Sequence, residues 1–265
     1  MGFFGKMMAS VGVGNMKVDT QLESEFLTAG SEASGVVLIK GGDVEQTYNR
    51  IELLLQTDYY VTIAEEDDEA EEESETTERR VVTLERLIVD GKNTIQAGEI
   101  REIPFQIRVP LGTPIHGLTS REVWLTTDVD ISFAIDPSDE DIVKVQPDII
   151  SEMILNSFGA LGFHIDEIDA EEVPQYMQTL LPFVEELELK AHEGPFYRKV
   201  DEVEVILTYM HDRIRVWLEI DKRGGFFTEL LDIDEVNCYI DFPYDCDLNQ
   251  EVCTRFIYES IAQRI

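Results

Sequence analysis

The 265-residue chain is poor in positive charge: 21 Lys and Arg stand against 55 Asp and Glu, a formal net charge of −34. Phosphate backbones and anionic lipid headgroups are held by a Lys/Arg excess, so this balance argues against nucleic acid and against charge-driven membrane docking. No basic run interrupts the acid. Apolar stretches long enough for a membrane span, roughly 20 residues, are missing too. Cysteine is scarce, with Cys238, Cys246 and Cys253 at spacings that match no zinc pattern. Their odd count, and a start whose apolar run is broken by Lys6 before any cleavage site, predict reduced thiols in a cytoplasm. Lys6 also stands where a myristoylation signal needs Ser or Thr. Cys238 and Cys253 read as small apolar side chains.

Catalytic signatures are equally thin. His116, His164, His192 and His211 fall in four separate segments, without a His-x-x-x-His pair. No Gly-x-Ser-x-Gly elbow occurs, and the glycine pairs at 41–42 and 224–225 lack nucleotide-binding spacing. No catalytic, cofactor or metal residue is therefore assigned, and the chain reads as a non-enzyme. His164, between Phe163 and Ile165, is expected on the polar side of a strand.

What the chain has in abundance is acid. Glu65–Glu78 holds ten acids in fourteen residues, and such repulsion with nothing to bury predicts a solvated loop. Glu65, Glu66, Asp67, Asp68 and Glu69 are candidates for loose cation condensation, with a partner-binding segment or a defined calcium site as alternatives. Without this segment the remainder still carries −24, and with Arg outnumbering Lys it suits a high-salt cytoplasm. Phe3, Phe4, Met7, Met8 and Val11 share one helical face, expected to pack on the protein because a single basic residue, Lys6, opposes it.

With 43% apolar residues the chain can build a core, and the first half does so with period two. In Arg121–Ile135 the odd positions are Val123, Leu125, Thr127, Val129, Ile131, Phe133 and Ile135, against Glu122, Asp128 and Asp130. Ile103–Val109 alternates likewise, with Pro104 restricting it to a strand start or an edge. Further strands are expected at 17–23, 33–40, 49–57, 59–64 and 81–89, which together indicate an antiparallel sandwich. The acidic stretch between Pro137 and Pro147 reads as a linker, so the domains are 1–136 and 148–265. The second half opens with a helix at 148–161, N-capped by Asp148. Strands follow at 163–168, 181–189, 203–209, 214–220 and 236–240, with helices at 226–231 and 249–264.

Several segments carry a family likeness. Ala29–Leu38 resembles the second-strand signal of arrestin-fold proteins, and Ile103–Pro110 resembles the segment of that fold in which Pro-Phe opens a strand ending at Pro. The opening Phe3–Gly14 with Lys17–Thr20 is similar to the start of the sporulation-control protein M (SpoOM) family. Further matches are Ile39–Gly42, Asp136–Asp139, Leu181–Val184, Gly194–Phe196 with Asp201–Val203, and Asp221–Phe226. The acidic run at 65–78 departs from the family pattern.

This resemblance implies a mostly β protein of two tandem arrestin-like antiparallel β-sandwiches, the second decorated with short helices. It further implies a cytoplasmic, non-enzymatic regulator of sporulation-control type, with no cofactor and with cell-division, cytoskeletal or signalling proteins as partners. Sandwich edges also make a homodimer accessible. The alternatives are a metal-dependent small-molecule binder or enzyme with a loop-built site, and an arrestin-like sorting adaptor for membrane cargo.

Overall fold

Alternating apolar and polar residues become sheet along most of the chain. The computed structural model describes residues 15–65, 74–119, 121–131, 136–174, 176–222, 238–245 and 247–265. The apolar face expected at Phe3–Val11, the glycine break at 224–225, the helix expected at 226–231 and Cys246 lie outside these residues. The chain divides into two compact units. The first comprises Met1–Asp58, Val81–His116 and Arg121–Gln146; the second comprises Tyr59–Arg80, Gly117–Ser120 and Pro147–Ile265.

The early strands are β1 (Lys17–Leu22), β2 (Phe26–Thr28), β3 (Glu32–Lys40), β4 (Gln46–Glu65), β5 (Ser74–Asp90), β6 (Asn93–Ile95), β7 (Ile100–Arg108), β8 (Val123–Ile131) and β9 (Ser138–Gln146). In the first unit β1, β3 and β7 form one antiparallel sheet. A second sheet runs β2, β9, β8 and the first part of β4, with β6 also beside β4. Both inner faces feed one core, with Val37, Ile39 and Ile107 from one sheet and Leu53, Leu125 and Val129 from the other. Thr20 and Thr127 are buried in it with their hydroxyl oxygens 2.6 Å apart, so each satisfies the other. Pro104 lies in β7, the edge of the β1–β3–β7 order among the described residues, an edge strand as expected. The odd positions from Val123 to Ile131 are all buried.

Three expectations need correction. The segment 137–147 is not a linker, because Ser138–Gln146 is strand β9. Glu140 and Ile142 face outward while Val143 and Val145 enter the core, Asp139 on their side accepts from the Thr20 N–H, and the backbone is claimed by β8 from Val123↔Val143 to Asp128↔Ser138. The expected strands 49–57 and 59–64 are one strand, β4. Asp58 does not mark a turn: it is buried 3.8 Å from Arg121, which neutralises it in place. Nor is 65–78 wholly a loop, for Glu65 ends β4 and Ser74–Glu78 begin β5. Pairing of β5 with β4, the β-branched Thr76 and Thr77, and the adjacent cations Arg79 and Arg80 carry the ladder into the acid run.

The second unit adds α1 (Ile149–Ala160), β10 (Phe163–Glu172), β11 (Phe183–Ala191), β12 (Val200–Tyr209), β13 (Arg213–Lys222), β14 (Cys238–Pro243) and α2 (Gln250–Ala262). Strands β10 to β14 are an antiparallel meander in sequence order, and Glu171 of β10 meets Tyr60 of β4 in parallel. Asp148 caps α1 as predicted, its carboxylate accepting from the N–H groups of Ile150 and Ser151. The helix ends at Gly162, where φ is +87° and a Cβ would lie 2.2 Å from the Glu193 carbonyl oxygen, so only glycine fits. Ile154 and Phe158 of α1 and Ile257 and Ile261 of α2 share a core with Val203, Val205, Val216 and Leu218 of the sheet. Each of these large side chains stabilises the unit by about 1.5–3 kcal/mol. Cys238 and Cys253 are buried in the same core as free thiols, matching their reading as small apolar residues.

Candidate functional site

Helices cover the face of the β10–β14 sheet that carries Val203 and Val205. The two-residue period of a strand sends the alternate side chains to the opposite face, and there the register assembles two contrasting rows. Glu167, Glu188, Glu204 and Glu219 stand opposite one another on four neighbouring strands. Strands about 4.8 Å apart bring these like charges close, an arrangement that costs stability. The next row along places Glu186 beside Ile206, Trp217 and Tyr239.

Trp217 anchors an aromatic cluster. Its ring lies 5.4 Å from that of Tyr239 and 6.2 Å from that of Tyr176, which reaches in from the segment before β11. The Arg215 guanidinium sits 3.9 Å from the Tyr239 ring centre and 5.5 Å from that of Trp217. Asp241 fixes it by accepting two hydrogen bonds, of 2.7 and 2.9 Å, while the Trp217 indole N–H donates to Thr208 Oγ1 at 3.0 Å. Arg215 and Trp217 are thus held by hydrogen bonds, while Tyr239 is 54% and Tyr176 73% exposed. Beside Arg215 opens a polar cavity of about 480 Å³, lined among others by Leu180, Tyr209, His211 and Arg213.

The acids of this face are electrostatically strained. Burial, followed by a hydrogen bond to the Glu204 carboxyl and the charges of Glu204, Glu171 and Glu219, pushes Glu186 up to about 7. Glu188 is raised by burial and then by Glu202 and Glu167. Among the cations near them is Lys190, which pairs with Asp166 and lies 3.3 Å from Glu202. Asp241 is the opposite case: its hydrogen bond from Arg215 holds it below the usual carboxylate range. Chemically, the face offers hydrogen-bond acceptors and negative charge at one end and flat apolar rings at the other.

The residues singled out from sequence fare differently. Of the five acids proposed for cation condensation, Glu65 is the last residue of β4, and Glu66, Asp67, Asp68 and Glu69 lie outside the described residues. His164 is exposed as expected, and the structure sets its ring 5.1 Å from that of His192, a pairing sequence separation concealed. His116 instead stands edge-on to Phe26, with ring centres 6.4 Å apart. Among the described residues no group of three or more His, Cys, Asp or Glu is placed to hold a metal ion. Ser151 hydrogen-bonds to Asp148 and lies 3.1 Å from the Tyr209 hydroxyl, but it is fully buried and serves the helix cap.

The family described as SpoOM protein matches residues 4–224. The chain belongs to the SpoOM family. Sporulation-control protein spo0M of Bacillus subtilis (strain 168) is 38% identical over 224 residues, which are 84% of this chain and 82% of that protein. The crystal structure of Spo0M, sporulation control protein, from Bacillus subtilis has a TM-score of 0.77 and 33% identity, covering 95% of this chain and 99% of that one. The SpoOM assignment fixes the fold class as mostly β and arrestin-like, with helices in the second unit, and places the chain among sporulation-control proteins. Among the described residues of this SpoOM protein no helix is long and apolar enough to cross a membrane. The acid and aromatic rows escaped sequence reading although each strand was recognised, because alternation names a face and hairpin register decides which residues align on it.

Proposed function

We propose that this SpoOM protein is a non-enzymatic cytoplasmic regulator that acts by binding protein partners, and that the open face of its β10–β14 sheet is where they dock. The observation that carries this reading is the Tyr176–Trp217–Tyr239 cluster stacked on Arg215. Trp, Tyr and Arg are the residues that dominate binding energy at protein interfaces, and here hydrogen bonds pre-organise Arg215 and Trp217 beside the exposed Tyr176 and Tyr239. The family's sporulation-control character makes signalling, cytoskeletal or cell-division proteins the partners to seek. The test is crosslinked affinity capture from the organism's own lysate, run in parallel with the Tyr176→Ala/Tyr239→Ala double variant. A reproducible set of proteins lost from the variant supports the reading; an unchanged set overturns it for this face.

Two further proposals accompany it. The overall acid excess suits a salt-rich cytoplasm, so the melting temperature should rise between low and molar KCl; a constant value removes the idea. Strand β14 closes one end of its sheet's order and is the route proposed for a homodimer. Light scattering that finds only monomer at high protein concentration would rule that out.

A further inference from the structure

The fold brings together two of the chain's four histidines. His164 opposes Lys190 across the β10–β11 ladder, and His192 stands two residues beyond Lys190. Strand alternation therefore sends both imidazoles to the same side of the sheet as diagonal neighbours. Their ring centres lie 5.1 Å apart with the planes at 73°, and both side chains are exposed. We infer that His164 and His192 form a two-histidine site for a divalent transition ion of the imidazole-preferring class that includes zinc and copper, with water in the remaining positions. This site does not depend on the docking role proposed above.

The spacing is the one an ion requires. Two imidazoles that share a tetrahedral ion, each with a nitrogen about 2.1 Å from it, have ring centres roughly 5 Å apart. Because both rings lie in solvent, rotation about χ2 turns a nitrogen of each into the gap without displacing packed atoms. Imidazole also selects the metal: zinc and copper accept it, whereas magnesium and calcium take oxygen ligands.

The backbone beneath the pair is fixed before any ion arrives. The His192 N–H donates to the Gly162 carbonyl at 3.0 Å. Two residues on, Gly194 has φ +80° and passes so close to Leu161 that a Cβ would lie 2.4 Å from its carbonyl oxygen. Phe163 and Phe196 are buried below, with ring centres 5.7 Å apart. The two histidines are thus set in place by their neighbours, which lowers the ordering cost of binding. Charge does not oppose the ion either. Lys190, the nearby cation, pairs with Asp166 and lies 3.3 Å from Glu202. The Asp166 carboxyl is held below the usual carboxylate range first by its hydrogen bond from Lys190 and less strongly by the charge of His192, which sets a carboxylate near the pair. A bound ion ties the start of β10 to the segment leaving β11.

The experiment uses the full chain with Cys246→Ser, so that this thiol does not compete for the ion. Zn²⁺ is titrated by isothermal calorimetry at about pH 8, above the ordinary imidazole range. Cu²⁺ is added to the same protein and its ligands are read by electron paramagnetic resonance. One zinc ion per chain is expected in the strongest phase. His164→Gln and His192→Gln should each weaken it at least about tenfold. The double variant His116→Gln/His211→Gln alters the other two histidines, one beside Phe26 and one lining the polar cavity, and should change it less than about twofold. The Cu²⁺ spectrum should show two nitrogen ligands in the parent protein and one in either single variant. Zinc affinity that survives both single substitutions overturns the inference, as does an equal loss in the His116/His211 variant, which would mean that scattered histidines share the ion. A Cu²⁺ spectrum with oxygen donors alone overturns it too, because carboxylates would then hold the ion. Circular dichroism verifies folding, and the two single variants serve independently if one of them is unfolded.

Discussion

Replacing Glu186 by Gln should stabilise the second unit at pH 8, unlike most substitutions of a partly buried hydrogen-bonded side chain. The carboxyl rises from its ordinary 4.5 to about 7, driven by burial first and then by the hydrogen bond and charge of Glu204. Each pKa unit is worth about 1.4 kcal/mol, giving about 3 kcal/mol in full; the group is only half-buried, so solvent screening reduces this to about 1–2 kcal/mol. Native Glu186 keeps a proton that the unfolded chain releases, so the folded state binds more protons between about pH 4.5 and 7. Stability from this group is complete below the lower value and lost as pH rises through the upper one. Gln resembles the protonated form, so the variant should match wild type near pH 4 and exceed it by about 1–2 kcal/mol at pH 8. Urea titration in a Trp124→Phe background reads the second unit through Trp217, the remaining one of the chain's two tryptophans. A variant less stable than wild type at pH 8, or offset from it by a constant amount from pH 4 to 8, would refute the reasoning.

Three other outcomes are expected. Gly162→Ala forces a side chain into a positive-φ site where the Glu193 carbonyl already stands 2.2 Å from the new Cβ, and should cost about 3 kcal/mol in chemical denaturation. Asp148→Ala removes the acceptor for two N–H groups and for the Ser151 hydroxyl at the start of α1, and should cost about 1–2 kcal/mol by the same measurement. In a Cys246→Ser background, a thiol reagent should modify Cys238 and Cys253 only as fast as the second unit unfolds. Both thiols are buried, and burial raises them further from the reactive thiolate.

Elements whose side chains and backbone agree were legible. In β8 each odd residue from Val123 to Ile131 is buried, and Asp148 is where an N-cap should stand. Elements decided by a distant partner were not. β9 begins Ser-Asp-Glu-Asp and offers only Val143 and Val145 to the core; β8 beside it makes it a strand. Asp58 looks like an interruption until Arg121, far along the chain, is seen next to it. β2 has three residues and its strand character comes from pairing with Lys144–Gln146. The candidate face is the extreme case. Glu188, Glu204 and Glu219 are unremarkable outward residues one at a time, and the alignment of hairpins makes them a row.

The sequence composition of the second unit has a consequence for biosynthesis. It draws on Tyr59–Arg80 and Gly117–Ser120 as well as the stretch from Pro147 onward, and β10 meets Tyr60 of β4. During translation, Tyr59–Arg80 emerges long before β10 and must wait for it, so this unit closes late through contacts of large sequence separation. Severing the gene after Gln146 would consequently not yield two independent halves. The downstream product would lack residues its own unit needs, and the upstream product would retain an orphaned end of β4 prone to pairing with other chains.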